Sequence, residues 1–448
     1  MSTLRVRISL ITTATKAAAL PTSEVDTSRV VTSPKALVLA AGLGVVGAIA
    51  ASLFLTVISL GQIALWEKLP ESLGYDQPPW WLIVLGPLVG AACVVAAWKL
   101  PGKTGLGPLD GFHFDVRPAV VGSVILAAVG TIICGLSLGP EAPLIACGTA
   151  IAAFLVRKQP AQAQQFAMVL GGVAAIGAIF GNPFVTGFVL LEFAAMGALP
   201  AMILIPAFVA LASGYLVQIG VGPLTGLGTH SLAVDGLASY TQVRVIDLVG
   251  ALAIAVAAAA VALLARGVGV RVVVLARRYA VVALVATAVI TSALALLVRS
   301  SSDASIDAVM FSGQEGMAEI LTLTSVSTVL LVVVAKLIAY GFALGSGFRG
   351  GPIFPAVFLG VATATVLTLV FPSLSLTAMV VVGIAASTAA ALKLPFTSAL
   401  LALLIVAGAG MDIAPFAIIG AVVGLIVRLA LDRTGLLDVP SREPAHQP

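Results

Sequence analysis

Along most of this chain hydrophobic positions do not alternate with polar ones; they run on. Ala36 to Trp66 contains no charged residue, and a helix of that length exceeds the roughly 30 Å hydrocarbon core and must tilt. Further uncharged runs lie near Trp80–Trp98, Ala119–Pro140, Phe166–Leu191, Pro200–Val234, Leu248–Leu264, Val281–Val298, Leu321–Ala335, Ile353–Leu392 and Leu394–Met411. A membrane-spanning barrel would show a period of two, whereas these runs are apolar on every face. Only helices and closed barrels satisfy the backbone in lipid. The pattern therefore predicts an all-α, polytopic, multi-pass integral membrane protein. A polar tail is expected over 1–35, a first membrane half over 36–220 and a connecting loop over 221–244. A second half over 245–431 and a C-terminal tail over 432–448 complete the division.

Glycines and prolines punctuate these runs in a repeated order. When the chain is slid against itself by 212 positions, Gly139-Pro140-Glu141-Ala142-Pro143 falls on Gly351-Pro352-Ile353-Phe354-Pro355. Gly148 then meets Gly360, Pro160 meets Pro372, Gly171 meets Gly383, and Pro183-Phe184 meets Pro395-Phe396. Every proline between 139 and 184 has a partner in the second copy. Matching alanines would carry little weight in this composition, but matching every proline without a gap marks an internal duplication.

Each copy opens with a Gly-Pro break and continues as an apolar helix expected to be too short to cross. Leu144–Val156 would cover only about 20 Å. A helix that starts inside the membrane leaves its first N–H groups without intrahelical partners and carries partial positive charge there. Irregular backbone at that depth is tolerated where it lines a cavity, and paired breaks in two halves point to a transport site. Helix N-termini favour anions, so the expected ligand is an anion near the midplane. Glu141 stands at the first break. A carboxylate there could occupy the anion site itself and leave when a competing anion or a proton arrives. A third cluster, Gly102-Lys103-Thr104-Gly105-Leu106-Gly107-Pro108, is either a polar turn or a further helix start where the Thr104 hydroxyl could donate to an anion. Ser312-Gly313-Gln314-Glu315-Gly316 is its looser echo.

Composition adds exclusions. Only 9% of the 448 residues are charged and 60% are hydrophobic, against about 25% charged in soluble domains. The net charge of +4 gives no reason to expect nucleic acid. The N-terminal stretch is Ser/Thr-rich with Arg5, Arg7 and Lys16. Arg157–Lys158 and the group Arg266, Arg271, Arg277 and Arg278 mark loops expected on the cytoplasmic side. Cys93, Cys134 and Cys147 have no paired spacing and read as packing residues. His113, His230 and His446 form no metal pattern. With no nucleophile–base pair, P-loop or zinc motif, neither an enzyme nor a cofactor is expected. A cation or organic-acid symporter is disfavoured because no cluster of intramembrane carboxylates awaits a cation.

The ordered motifs resemble those of the CLC family of chloride channels and chloride/proton exchangers over roughly 36–430. Gly139-Pro140-Glu141-Ala142-Pro143 resembles its G-[KR]-E-G-P motif, which puts Glu141 at the gating glutamate. Gly345-Ser346-Gly347-Phe348-Arg349-Gly350-Gly351-Pro352-Ile353-Phe354-Pro355 resembles its GSG…G-x-F-x-P segment. There the family's backbone amides bind chloride, a role that carries over to Gly351, Ile353 and Phe354, with Gly139 at the facing break. Thr104, with Gly105, falls where the family has the serine of GSGIP. Lys336 falls at a basic position kept near the inner vestibule. The resemblance implies two inverted halves with broken helices, chloride as the transported partner with protons as a second one, and a homodimer with one pathway per chain in the cell membrane.

Departures from the family's pattern bear on mechanism. Pro140 replaces the basic residue before the glutamate, and Pro352 supplies no N–H. Leu190-Leu191-Glu192-Phe193 offers the first of two adjacent glutamates and puts Phe193 in place of the second, the family's internal proton acceptor. The chloride-coordinating tyrosine near the C-terminal end has no counterpart in Asp432-Arg433-Thr434-Gly435-Leu436-Leu437. These changes favour chloride transport by passive or loosely proton-coupled conduction, with coupled chloride/proton antiport as the alternative. A proton role and a structural ion-pair role both stay open for Glu192. For Arg349, raising the local anion concentration at one mouth and satisfying loop carbonyls stay open alike.

Overall fold

The computed structural model describes residues 33–102, 104–111, 118–225, 233–234 and 236–439. Most of the expected N-terminal tail, part of the connecting loop and the end of the C-terminal tail lie outside them, as do Lys103, His113, His230 and His446. Among the described residues the chain is helical. α1 is Pro34–Ile63, extended by a wider π turn, Ala64–Lys68, into Leu69–Ser72. α2 (Trp80–Ala97), α3 (Val121–Ile133), α4 (Glu141–Leu155), α5 (Ala161–Phe180), α6 (Pro183–Ala195) and α7 (Leu204–Thr225) complete the first half. The second comprises α8 (Val245–Arg278), α9 (Ala280–Ser301), α10 (Gly316–Thr322), α11 (Val326–Gly345), α12 (Ile353–Val370), α13 (Leu376–Leu392), α14 (Pro395–Ile405) and α15 (Ala414–Asp432). Nine of the described helices are long and apolar enough to cross a membrane.

Local chemistry sets the ends. Ser33 caps α1 with Pro34 in the first turn, Asn182 accepts the Phe184 N–H at 2.8 Å above Pro183, and Ser325 and Ser375 cap α11 and α13. The duplication governs these boundaries. α3 and α11 end at Ile133 and Gly345, α4 and α12 begin at Glu141 and Ile353, and α5 and α13 end at Phe180 and Leu392. Each pair is separated by the repeat offset of 212. The turn after α5 and α13 is left-handed in both copies, at Gly181 (φ 57°) and at Lys393 (φ 61°). Glycine takes that conformation without steric cost; the second copy holds a lysine there, and its ammonium pairs with Asp432 at 2.7 Å.

Packing repeats as well. α4 crosses α5 where Gly148 faces Gly171, and a Cβ on either would collide with the other's carbonyl. α12 crosses α13 at Gly360 and Gly383 with the same mutual contact. The two copies meet at the breaks: Gly139 N–H donates to the Gly351 carbonyl at 2.9 Å and Gly351 N–H returns the bond to Gly139 at 2.5 Å. Residues equivalent by duplication thus pair with each other, as around a two-fold axis.

Three expectations change. α4 is short, 15 residues, but α12 runs on for 18 residues because nothing interrupts it before the turn at Phe371. Residues 102–108 start no helix among the described positions; Gly102, Thr104 and Gly105 all have positive φ, which no α-helix accommodates. Arg266, Arg271, Arg277 and Arg278 lie not in a loop but within α8, which at 34 residues reaches about 50 Å and outruns the hydrocarbon core.

Because the glycine crossing is duplicated, Gly148→Ala and Gly360→Ala should each lower stability, by about 1–3 kcal/mol of overpacking. Thermal unfolding of the purified protein in detergent checks this, and a loss confined to one of the two would separate the halves' packing.

Candidate functional site

The reciprocal Gly139–Gly351 pair brings the first turns of α4 and α12 together. Glu141, the first residue of α4, is fully buried and sends its side chain across to the opposite helix. Its Oε1 accepts the Phe354 N–H at 3.0 Å, while Oε2 is buried and has no hydrogen-bond partner. The carboxylate lies against both glycines, so that a Cβ at Gly139 or Gly351 would collide with it. Their N–H groups are committed to each other, so the glycines contribute space rather than donors. Pro352 and Pro355 offer no N–H. The donors left at the α12 N-terminus are therefore the N–H groups of Ile353 and Phe354, and the carboxylate sits on them with the Phe354 N–H already bonded to it. Phe354 packs near Phe180, ring centroids 6.4 Å apart.

The other expected residues fall into two groups. Thr104, Gly105 and Arg349 come together: Arg349 Nε donates to the Thr104 carbonyl and to Thr104 Oγ1, both at 2.9 Å, and Nη2 donates to the Gly105 carbonyl at 3.2 Å. Arg349 N–H also donates to Thr131 Oγ1 at 3.1 Å. From its position two residues before Gly351, the guanidinium therefore satisfies the carbonyls of the left-handed turn at Thr104–Gly105. Glu192 and Lys336 lie apart from this cluster. Glu192 crosses between halves to the start of α14, where it accepts from Phe396 N and Thr397 N, each at 2.9 Å, and from Thr397 Oγ1 at 2.5 Å. It acts as a borrowed N-cap. Lys336 is fully buried in α11 and donates to the carbonyls of Val309, Met310 and Phe311 at 3.2, 2.8 and 3.0 Å, its ammonium 5.0 Å from the Phe358 ring centre. All three of its hydrogens have acceptors.

Tyr340 joins the site without having been expected. It stands four residues after Lys336 on α11, is buried, and donates from its hydroxyl to the Pro352 carbonyl at 2.9 Å. The signal was present as an i, i+4 pair of polar heads in an apolar helix, which places both on one face.

A family model described as voltage-gated chloride channel matches residues 106–429, well over half of the chain. The chain belongs to the CLC family. A relative named for ion transport, YfeO of Escherichia fergusonii, is 29% identical over 333 residues, covering 71% of this chain and 76% of its own. YfeO of an Escherichia coli K12 strain is 29% identical over 336 residues with the same coverage. A slow cyanobacterial Cl−/H+ antiporter shares the fold at TM-score 0.73 and 17% identity, over 90% of this chain and 97% of that one. A CLC-type fluoride/proton antiporter does so at TM-score 0.68 and 19% identity, over 88% and 95%. The two-halved, all-helical membrane architecture of this CLC protein is thus that of solved family members.

A cavity of about 940 Å³ opens beside the α1 extension and the α9–α10 connection. Glu67, Glu71, Asp76, Asp303, Asp307 and Glu315 line it. Burial pushes the Asp307 carboxyl up to about 6, with Glu315 and Glu319 reinforcing the rise and Lys336 opposing it. The folded state holds this proton more tightly than the unfolded chain, whose ordinary value is near 3.8. Its stabilising contribution is present below that value and is lost as pH rises through about 6. Asp307→Asn should therefore flatten the decline in melting temperature between these limits. Glu192→Ala should cost about 1–3 kcal/mol by freeing buried N–H groups, with Glu192→Gln losing less; chemical or thermal unfolding measures both.

Proposed function

We propose that this CLC-family protein moves chloride across the membrane past a glutamate gate, by passive or loosely proton-coupled conduction. The observation that carries the reading is the Glu141 carboxylate seated on the first turn of α12 and bonded to the Phe354 N–H. An anion-sized, negatively charged group already occupies the helix N-terminus, and it is tethered to the opposite half. Chloride competing for the same N–H groups would displace it; a proton would neutralise it and weaken its hold. Protonation or displacement therefore opens the path, which gives transport a dependence on both pH and chloride.

Loose coupling is favoured by the residues around the gate. Phe193 stands where a second glutamate would take up protons, and Glu192 is held by two backbone N–H groups and a hydroxyl. Neither offers a ready second proton station. Coupled chloride/proton antiport is the alternative, and Glu141 Oε2, which has no hydrogen-bond partner, is the observation that favours it because it is free to carry a proton. The site draws on both halves of one chain, so each subunit of the homodimer has its own pathway.

Glu141→Gln should abolish the pH dependence of chloride flux in reconstituted liposomes while retaining flux; unchanged pH dependence would remove Glu141 as the gate. In the wild type, a reversal potential under a chloride gradient that ignores an added pH gradient supports conduction, and one that shifts with it means exchange.

A further inference from the structure

Two polar side chains of the site have no counterpart in the other copy, and both reach the start of α12. Across the offset of 212, Glu141 corresponds to Ile353 and Tyr340 corresponds to Ala128. The first copy alone carries a carboxylate at its break, and the second alone carries a phenol on the helix before its break. Tyr340 is 2% exposed, and its hydroxyl donates to the Pro352 carbonyl at 2.9 Å. It shares one apolar cluster with Leu136 and Leu138, which lead into Gly139, and with Phe348, which leads into Gly351. In the first copy the equivalent carbonyl, that of Pro140, accepts the Leu144 N–H of its own helix at 3.1 Å. The bond described at Pro352 comes instead from a side chain on another helix.

The carbonyl that Tyr340 engages is one end of a donor. Pro352 C=O and Ile353 N–H belong to the same planar peptide group, and in a trans peptide they point in opposite directions. Holding the oxygen therefore fixes where the N–H points. That N–H is the first of α12. Gly351 has given its own N–H to Gly139, and Pro352 and Pro355 have none, so Ile353 and Phe354 supply the donors of this turn. A hydrogen bond accepted by a carbonyl also draws electron density from its amide nitrogen. The N–H becomes a stronger donor, by roughly 10–30% per bond in a chain of such bonds. Pro352 removes one donor from the site, and the tyrosine strengthens the next.

We propose that Tyr340 is a positioning residue of the anion site: through the Pro352–Ile353 peptide it aims and polarises the Ile353 N–H that receives chloride or the Glu141 carboxylate. It acts from behind the peptide, on the side away from that N–H. The inference rests on the reading that chloride competes with Glu141 for these N–H groups, and it adds what sets their strength. A phenylalanine would fill the same space in the apolar cluster, and only the hydroxyl reaches the peptide, so this role is separable from packing.

The test uses the full-length protein carrying Glu141→Gln, which removes the competing charge. Chloride binding is followed by isothermal titration calorimetry, and chloride uptake is followed in liposomes. Adding Tyr340→Phe should raise the dissociation constant and the half-saturating chloride concentration about threefold, the effect of losing part of one hydrogen bond, without lowering the maximal rate. Replacing Tyr340 by a ring-fluorinated tyrosine, a stronger donor of nearly the same shape, should lower both values below those of tyrosine. Affinity that follows donor strength in this order supports the role, since packing alone gives no reason for it. Unchanged affinity in Tyr340→Phe, or a fluorinated tyrosine indistinguishable from tyrosine, overturns the role and leaves the pathway standing if Glu141→Gln still binds and carries chloride. A lower melting temperature and maximal rate at unchanged affinity would mark packing and also overturns it. If Glu141→Gln neither binds nor carries chloride, the pathway reading and this role fall together.

Discussion

Two glycines hold the centre of the molecule by hydrogen-bonding each other. Gly139 and Gly351 exchange both of their backbone bonds, and neither tolerates a Cβ because the Glu141 carboxylate lies against them. The pairing fixes how the two halves meet, points the first turns of α4 and α12 at one place and leaves room there for a group of anion size. Pro140 and Pro352 follow the glycines directly, so the chain must leave its extended pairing and turn into a helix at once. The Gly148–Gly171 and Gly360–Gly383 crossings then hold each broken helix against the one that follows it.

Charges inside this protein divide by what they satisfy. Arg349 and Lys336 each gather backbone carbonyls that irregular chain leaves unpaired inside the membrane, at Thr104–Gly105 and at Val309–Phe311. Glu192 does the converse for the N–H groups at the start of α14. In each case a side chain supplies what water would supply at a surface, and the cost of broken helices is met locally. Glu141 differs because only one of its oxygens is engaged.

Much of this was legible in the sequence, and the reason is the spacing of its prolines. The register that aligned Pro143 with Pro355 and Pro183 with Pro395 anticipated two matching copies with breaks before α4 and α12, but runs such as Phe166–Leu191 and Ile353–Leu392 gave no sign of the helix ends at Phe180 and Val370 inside them. Glu141 was found because a carboxylate beside a break is rare in a run of apolar residues. What escaped had no local signature. Residues 102–108 resemble a helix start by composition, but the positive φ of Thr104 is set by contacts with Arg349, far away in the chain. Arg266 looked like a loop residue because it belongs to a cluster of arginines, yet α8 simply continues through it. Glu192 finds its partners 204 and 205 residues later in the sequence, a separation that no motif encodes.

That separation has a consequence for synthesis. The first half carries two buried carboxylates, Glu141 and Glu192, and the described hydrogen bonds they accept, one at Glu141 and three at Glu192, all come from the second half. At about 5–20 residues per second, a ribosome takes on the order of ten to forty seconds to travel from Glu192 to Phe396. For that interval the nascent first half sits in the bilayer with its acids unsatisfied, open to water, lipid headgroups or the insertion machinery. The native hydrogen bonds of these two carboxylates can therefore form only once the second half is in place.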